Sequence, residues 1–375
     1  MPASHLTRLP SAWVRWLVRL STIAHGETKV DNCRMKIRTI CAMQSITRII
    51  FACLIGTLAL SVQAQTPIVI KFSHVVAADT PKGKAALRFK ELAEKATNGR
   101  VRVDIYPDSQ LYKDKEELEA LQLGAVQMLA PSVAKFGTFG VREFDVFALP
   151  YIFPSREVLN QVTQGPIGRD LLKKLEPKGI TGLAFWDNGF KVMSANRPLH
   201  HPADFKGLKM RIQASRVLDA QMRALGAIPQ AMQFSEVYQA LKTGFVDGTE
   251  NPPSNFKTQL MDQVQTNLTV SNHGYLGYAV IVNKKFWDGL PDDIRAALEG
   301  AMQQVTIYAN EIAQRDNERD LADVKKRGKT NVYQLSAREQ LEWRQAMLPV
   351  QQQMANSIGP DLIAAINKLA TQASR

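Results

Sequence analysis

The chain has 375 residues, 45% of them hydrophobic and 22% charged, with 47 Lys and Arg against 35 Asp and Glu. Its mean hydropathy of −0.18 excludes a disordered chain and a multi-span membrane protein, and its length suggests about two domains. The formal charge of +12 would suit nucleic acid or an anionic membrane, but much of it lies outside the expected fold.

Residues 49–62 form the only long apolar run, preceded by Lys36, Arg38 and Arg48 and followed by Val62-Gln63-Ala64. A basic stretch, about 14 apolar residues and small residues before the cut describe a secretory signal peptide, cleaved after about Ala64. The run is shorter than the ~20 residues of a transmembrane helix. Counted from Met35 the signal has an ordinary length. Residues 35–64 therefore read as the signal peptide, and residues 1–34 as upstream sequence or an extended leader. Residues 1–64 hold eight basic and two acidic residues, so the remaining 311 carry 39 against 33, a net charge of +6. No basic block with interleaved aromatics remains there, and nucleic acid is not an expected partner. The mild positive excess suits a small anionic ligand. Cys33, Cys41 and Cys53 all fall in the leader, so the exported chain is expected to have no disulfide, thiolate metal site or cysteine nucleophile.

In chain order, Ile68–Phe72 reads as a strand. Asp79-Thr80-Pro81 opens a helix with a capping side chain and a proline in its first turn, and Asn98-Gly99 stops it. Val101, Val103 and Ile105 alternate with polar residues as a second strand. A helix over 114–123 and a strand over 126–130 complete a β-α-β-α-β run, the pattern of an α/β sheet with crossover helices. Helices are expected at 155–163 and 166–175, a strand at 180–186, a strand at 208–212, helices at 215–225 and 234–243, and a strand at 275–282. From Pro291 to about Arg327 only Gly300 interrupts a helical pattern. That helix would be roughly 50 Å long, enough to join two lobes. Two further helices over 336–371 are broken at Gly359-Pro360.

Catalytic motifs are absent from the exported chain: it has no G-x-S-x-G, Walker loop, G-x-G-x-x-G, H-E-x-x-H or EF-hand loop. Thr80-Pro81-Lys82-Gly83-Lys84 ends like a phosphate loop, but Ala78 stands where its first glycine is required. No metal site or cofactor is expected.

Several segments together carry a resemblance. They are Phe72-Ser73-His74-Val75 with Thr80–Gly83, Tyr106–Leu111, Phe147–Tyr151, Asp187–Phe190, Phe205–Arg211, Phe234–Leu241, Val246–Pro253 and Ser271–Tyr275. In this order they resemble the DctP-type solute-binding proteins of the tripartite ATP-independent periplasmic (TRAP) transporters, and the run from Ser271 to Pro291 is most similar to the four-carbon dicarboxylate branch. The resemblance implies a two-lobed α/β periplasmic binding protein of the Venus-flytrap type, with hinge strands and a long helix across both lobes. It places the hinge near 186–189 and 275–277, lobe I at 65–188 plus about 277–316, and lobe II at 189–276 plus about 317–375. It also implies capture of malate, succinate or fumarate and delivery to TRAP permease membrane subunits, with no enzymatic step. A receptor for a keto acid, aromatic acid or sugar acid is the alternative, and an exported enzyme on acidic substrates a more distant one.

The same resemblance assigns the ligand site. Arg211 matches the arginine whose planar fork meets a ligand carboxylate bidentately; the alternative is a structural salt bridge. Asn251 would hydrogen-bond the same carboxylate, or simply shape the turn before Pro252-Pro253. Phe234 would pack against the ligand or serve the core. Lys191 stands where many relatives carry arginine; it keeps the charge but loses the fork, and its stem could instead cover apolar surface. Ser132, Lys135, Asp114 and His74 map onto loops at strand ends, where open α/β sheets place ligands.

Overall fold

The computed structural model describes residues 66–373; the expected leader and signal peptide lie outside the described residues. The first sheet starts from strand β1 (Ile68–Ser73), whose buried Ile70 and Phe72 pack beneath helix α1 (Pro81–Ala96). Thr80 caps that helix, its Oγ1 accepting from Gly83 N at 3.1 Å. A Cβ at Gly83 would stand 2.5 Å from the carbonyl oxygens of Ala77 and Ala78, so this loop-to-helix junction admits glycine alone. Asn98 and Gly99 take positive φ and end the helix. β2 (Val101–Tyr106) then returns parallel to β1, with Ile68 opposite Val101 and Ser73 opposite Tyr106.

The expected helix over 114–123 forms only as α2 (Glu117–Gln122), because Asp114 is drawn into the interlobe contacts described below. The third strand shortens to β3 (Met128–Leu129). After α3 (Arg156–Thr163) and α4 (Pro166–Lys173) comes β4 (Ile180–Phe190), longer than its apolar core suggests. The sheet is closed by β10 (Tyr275–Asn283), buried at every residue and antiparallel to both β3 and β4, giving the order β2-β1-β3-β10-β4.

The second sheet has the order β11-β9-β5-β8-β6-β7. Its strands are β5 (Val192–Ala195), β6 (Lys209–Ile212), β7 (Ile228–Ala231), β8 (Gly248–Asn251), β9 (Asn267–Val270) and β11 (Asn331–Gln334). Only β6 stood out in the sequence. The others are four residues long, and β8, in the middle of the sheet, is Gly-Thr-Glu-Asn, a sequence of poor strand propensity. Between β6 and β8 lie α5 (Arg216–Ala224) and α6 (Val237–Thr243), the latter preceded by a 3-10 turn at Phe234–Glu236; α7 (Pro253–Thr258) follows β8.

The chain passes from the first sheet to the second at 190–192 and returns at 270–275. After the short α8 (Lys284–Asp288), α9 (Asp292–Arg327) runs 36 residues, about 54 Å. Its first half buries Ile294, Leu298, Met302 and Val305 against α1 and β4; its second half packs on α7 and reaches β11. Asn317 joins the two lobes at this point, donating to Asn188 O at 2.7 Å and accepting from Ser254 N at 2.9 Å. α10 (Ala337–Ile358) packs on α5 and on the 3-10 helix at Arg142–Ala148, and α11 (Pro360–Ala373) packs on α3. The architecture is two α/β lobes with a helix lying along both. Among the described residues no helix is long and apolar enough to cross a membrane.

Candidate functional site

The site is built where strands of the two sheets end facing one another. On β6, Met210 and Ile212 enter the core beneath α5, so Arg211 and Gln213 share the opposite face. Arg211 is only 2% exposed, yet it makes no ion pair among the described residues. Its Nε and Nη2 both donate to Met232 O, at 3.2 and 2.8 Å, and its guanidinium lies over the Phe234 ring, 5.5 Å from the centroid. Burial draws its pKa below the usual arginine value, against the pull of Asp114 and Glu250.

Across the cleft, Lys135 pairs with Asp114 at 3.2 Å and with Glu117. Burial opposes the Lys135 charge, but the two carboxylates outweigh it and hold its pKa above the usual lysine value. Asp114 works against burial in the same way: Lys135, the Phe234 N–H and Arg211 keep it below the carboxylate range, while burial raises Glu117. Asp114 Oδ2 accepts from the backbone N of Phe234 at 2.7 Å, and Ser132 Oγ donates to Gln213 Oε1 at 2.9 Å. Both contacts tie the first lobe to the second.

Two spaces meet here. A groove of about 490 Å³ is lined by Asp114, Lys135, Thr138, Arg211, Gln213 and Met232 among others. A small cavity with about 10 Å³ of free space shares Asp114 and Gln213 with it and adds Lys82, Ser132, Phe234 and Tyr278. The cavity is too small for an organic acid until the Ser132–Gln213 and Asp114–Phe234 contacts yield.

Of the eight residues singled out in the sequence, the structure brings five together: Arg211, Phe234, Asp114, Lys135 and Ser132. Asn251 lies on the same face of β8 as Thr249, the register neighbour of Arg211, and its Nδ2 donates to Thr249 Oγ1 at 3.3 Å. It lines neither space. Lys191 is turned to the other side of the second sheet. There its Nζ pairs with Glu250 at 2.5 Å, and Glu250 also accepts from Gln221 at 3.2 Å and bonds His273 Nε2 at 2.9 Å. His74 is buried at the end of β1, neither ring nitrogen meets hydrogen-bond geometry, and burial followed by the Lys82 charge pushes its pKa down to about 3. Its neighbours Val75 and Val76 line the cavity in its place.

Four polar residues of the small cavity escaped the sequence reading: Lys82, Gln213, Asn255 and Tyr278. Gln213 was accessible, since it lies two positions beyond Arg211 on one strand face. Lys82 sits in a segment that carried the resemblance but reads as an ordinary helix start. Nothing in the apolar run of β10 marks Tyr278.

The model of the bacterial extracellular solute-binding protein family 7 matches residues 72–357. The C4-dicarboxylate-binding periplasmic protein DctP of Rhodobacter capsulatus is 65% identical over 331 residues, covering 87% of this chain and 99% of that protein. A TRAP periplasmic solute-binding protein from Shewanella oneidensis, solved with bound succinate, superposes with a TM-score of 0.79 at 41% identity, over 81% of this chain and 99% of that one. One from Pseudomonas aeruginosa PAO1 with bound L-malate gives 0.74 at 44% identity, over 76% and 100%. The chain belongs to the DctP family of bacterial extracellular solute-binding proteins, the receptors of TRAP transporters.

Proposed function

We propose that the chain is a periplasmic receptor that captures a four-carbon dicarboxylate between its lobes and delivers it to TRAP permease membrane subunits. The observation that carries this reading is Arg211: a buried guanidinium with no carboxylate partner among the described residues, facing a groove between two lobes. A buried cation without an ion pair is costly, and a ligand carboxylate would supply the missing partner through the unused donors of the fork. The named ligands of the relatives support succinate or malate as that partner. The reading includes export through the signal peptide ending near Ala64. It also includes lobes of 65–188 with about 277–316, and 189–276 with about 317–375, although α11 leans back onto α3 of the first.

Thermal unfolding of the exported protein with succinate, malate and fumarate, beside pyruvate and a hexuronate, tests the reading. Ligand at about 100 times Kd stabilises by roughly 2.7 kcal/mol, a rise on the order of 4 °C. A rise confined to the dicarboxylates is expected. A rise with a sugar acid alone would move the substrate class, and chemical turnover of the bound acid would replace the receptor by an enzyme.

A further inference from the structure

All strands of the second sheet except β5 run parallel, so β6, β7, β8, β9 and β11 start at one end of it. Gln213 and the cleft lie beyond the other end of β6. Six lysines gather around these starts. Lys206 and Lys209 stand at β6, Lys242 in the last turn of α6 before β8, and Lys325, Lys326 and Lys329 between the end of α9 and β11. All six are exposed, and none makes an ion pair or a side-chain hydrogen bond among the described residues. The acids beside them are already engaged. Asp204 Oδ2 accepts from His200 N at 2.8 Å and His201 N at 2.7 Å, Asp247 Oδ2 accepts from Lys209 N at 2.8 Å, and Asp262 pairs with Arg327. Six is also the whole positive surplus of residues 65–375, whose other 33 cations match their 33 acids. The C-terminal dipoles of α6 and α9 favour Lys242, Lys325 and Lys326, but Lys206, Lys209 and Lys329 belong to neither helix.

Two apolar side chains project from the same end. Gly244 takes a positive φ to end α6, and Phe245, next in the chain, is 59% exposed. Ile228, in register with Lys209, is 46% exposed. Five strand spacings separate β11 from β7, so the basic arc is about 24 Å wide.

We infer that this end of the second lobe is a docking surface for an anionic phospholipid bilayer, with the lysines among the headgroups and Phe245 and Ile228 at the acyl boundary. Lysine heads are hydrated point charges on flexible stems, which suit a diffuse negative surface, whereas a defined carboxylate partner favours the fork of arginine. Charges spread along an arc add up against a lipid surface, and exposed apolar side chains amid basic ones match the interfacial mode of binding. Adsorption through this end leaves the cleft clear of lipid and keeps the protein beside its membrane. The inference holds or fails whichever acid the cleft binds.

Co-sedimentation of the exported protein with lipid vesicles is the test. At about 20 mM salt the protein is expected to sediment with mixed phosphatidylglycerol–phosphatidylcholine vesicles but not with phosphatidylcholine alone, and to be released at about 300 mM. Lys206→Gln, Lys209→Gln and Lys242→Gln together should weaken partitioning roughly 100-fold, and Phe245→Ser about fivefold. A control triple, Lys95→Gln, Lys285→Gln and Lys368→Gln, removes the same charge from exposed lysines elsewhere and should change partitioning by less than about threefold. Equal losses in the two triples would assign adsorption to net charge and overturn the inference, as would a failure to bind anionic vesicles. Sedimentation only with vesicles that carry the TRAP permease subunits would make the partner a protein and overturn the lipid assignment. A melting temperature raised by succinate in each variant, as in the wild type, shows that the fold is kept. A wild type that binds lipid but no four-carbon diacid removes the receptor reading alone.

Discussion

Asp114 Oδ2 lies 2.7 Å from the backbone N of Phe234, so a carboxylate of the first lobe receives its hydrogen bond from the turn that carries the aromatic floor beneath Arg211. The same carboxylate pairs with Lys135, so it couples lobe closure to a buried ion cluster. Asp114→Ala removes the bridge and leaves Lys135 with Glu117 alone. The expected loss is about 1–2 kcal/mol of closure energy, roughly tenfold in succinate affinity, read by titration calorimetry. Solution scattering of the ligand-free variant should show a larger mean dimension than the wild type. Unaltered affinity would remove Asp114 from the closing mechanism.

Arg211 is expected to trade stability for binding. Burial of an unpaired guanidinium is unfavourable in the free receptor, so Arg211→Met should raise the melting temperature without ligand by a few degrees. The same variant should lose succinate binding by about 2–5 kcal/mol. Arg211→Lys keeps the charge and loses the fork, and should fall between the two in affinity. A destabilised Arg211→Met protein would mean that its bonds to Met232 O matter more to the fold than the charge does.

Glu250 has the opposite character. Buried with Lys191 and His273, it has its pKa drawn down to about 2, because these partners outweigh the burial that would raise it. A folded-state pKa below the unfolded one contributes stability that is fully present above about 4.5 and lost as the pH falls toward 2. Glu250→Gln strands Lys191 beneath the second sheet and is expected to cost about 3–5 kcal/mol, on the order of 5–10 °C in melting temperature. The double replacement Lys191→Met with Glu250→Gln should recover much of that loss. Failure of the double variant to recover would show that His273 and Gln221, not Lys191, depend on the carboxylate.

Asp187 titrates the other way. Burial raises its pKa to about 6 in spite of Arg156 at 2.9 Å. A raised folded-state pKa contributes stability that is fully present below the unfolded value near 4 and is lost as the pH rises through 6. Asp187→Asn keeps the shape and is expected to stabilise the protein at pH 7.5 relative to the wild type, by on the order of 2–3 kcal/mol, with the difference vanishing near pH 4. Melting curves at the two pH values check it; an equal effect at both would mean that the Arg156 contact dominates.

The sequence by itself determined the elements that carry their own local signal. These are β1, α1 with its Thr80 cap, β2, β6 with Met210 and Ile212 flanking Arg211, and the long helix with Asp292 and Asp293 at its start and Lys325–Arg327 at its end. It also determined the family, through segments spread from Phe72 to Tyr275, and with it the two-lobed α/β architecture. It did not reveal β5, β7, β8, β9 or β11. Four-residue strands buried on both faces or bearing polar side chains show no period-2 alternation, and β8 exists because its neighbours hydrogen-bond it. Nor did sequence spacing tell that Lys191 and Arg211, both cations near one motif set, lie on opposite faces of the second sheet. Register and strand pairing settle that, placing Glu250 under Lys191 and Thr249 beside Arg211. Lys82 met Ser132 and Tyr278 only when α1, β3 and β10 converged, since contacts between residues up to 196 positions apart (82 to 278) are decided by the packing of whole lobes and leave no local trace in the chain.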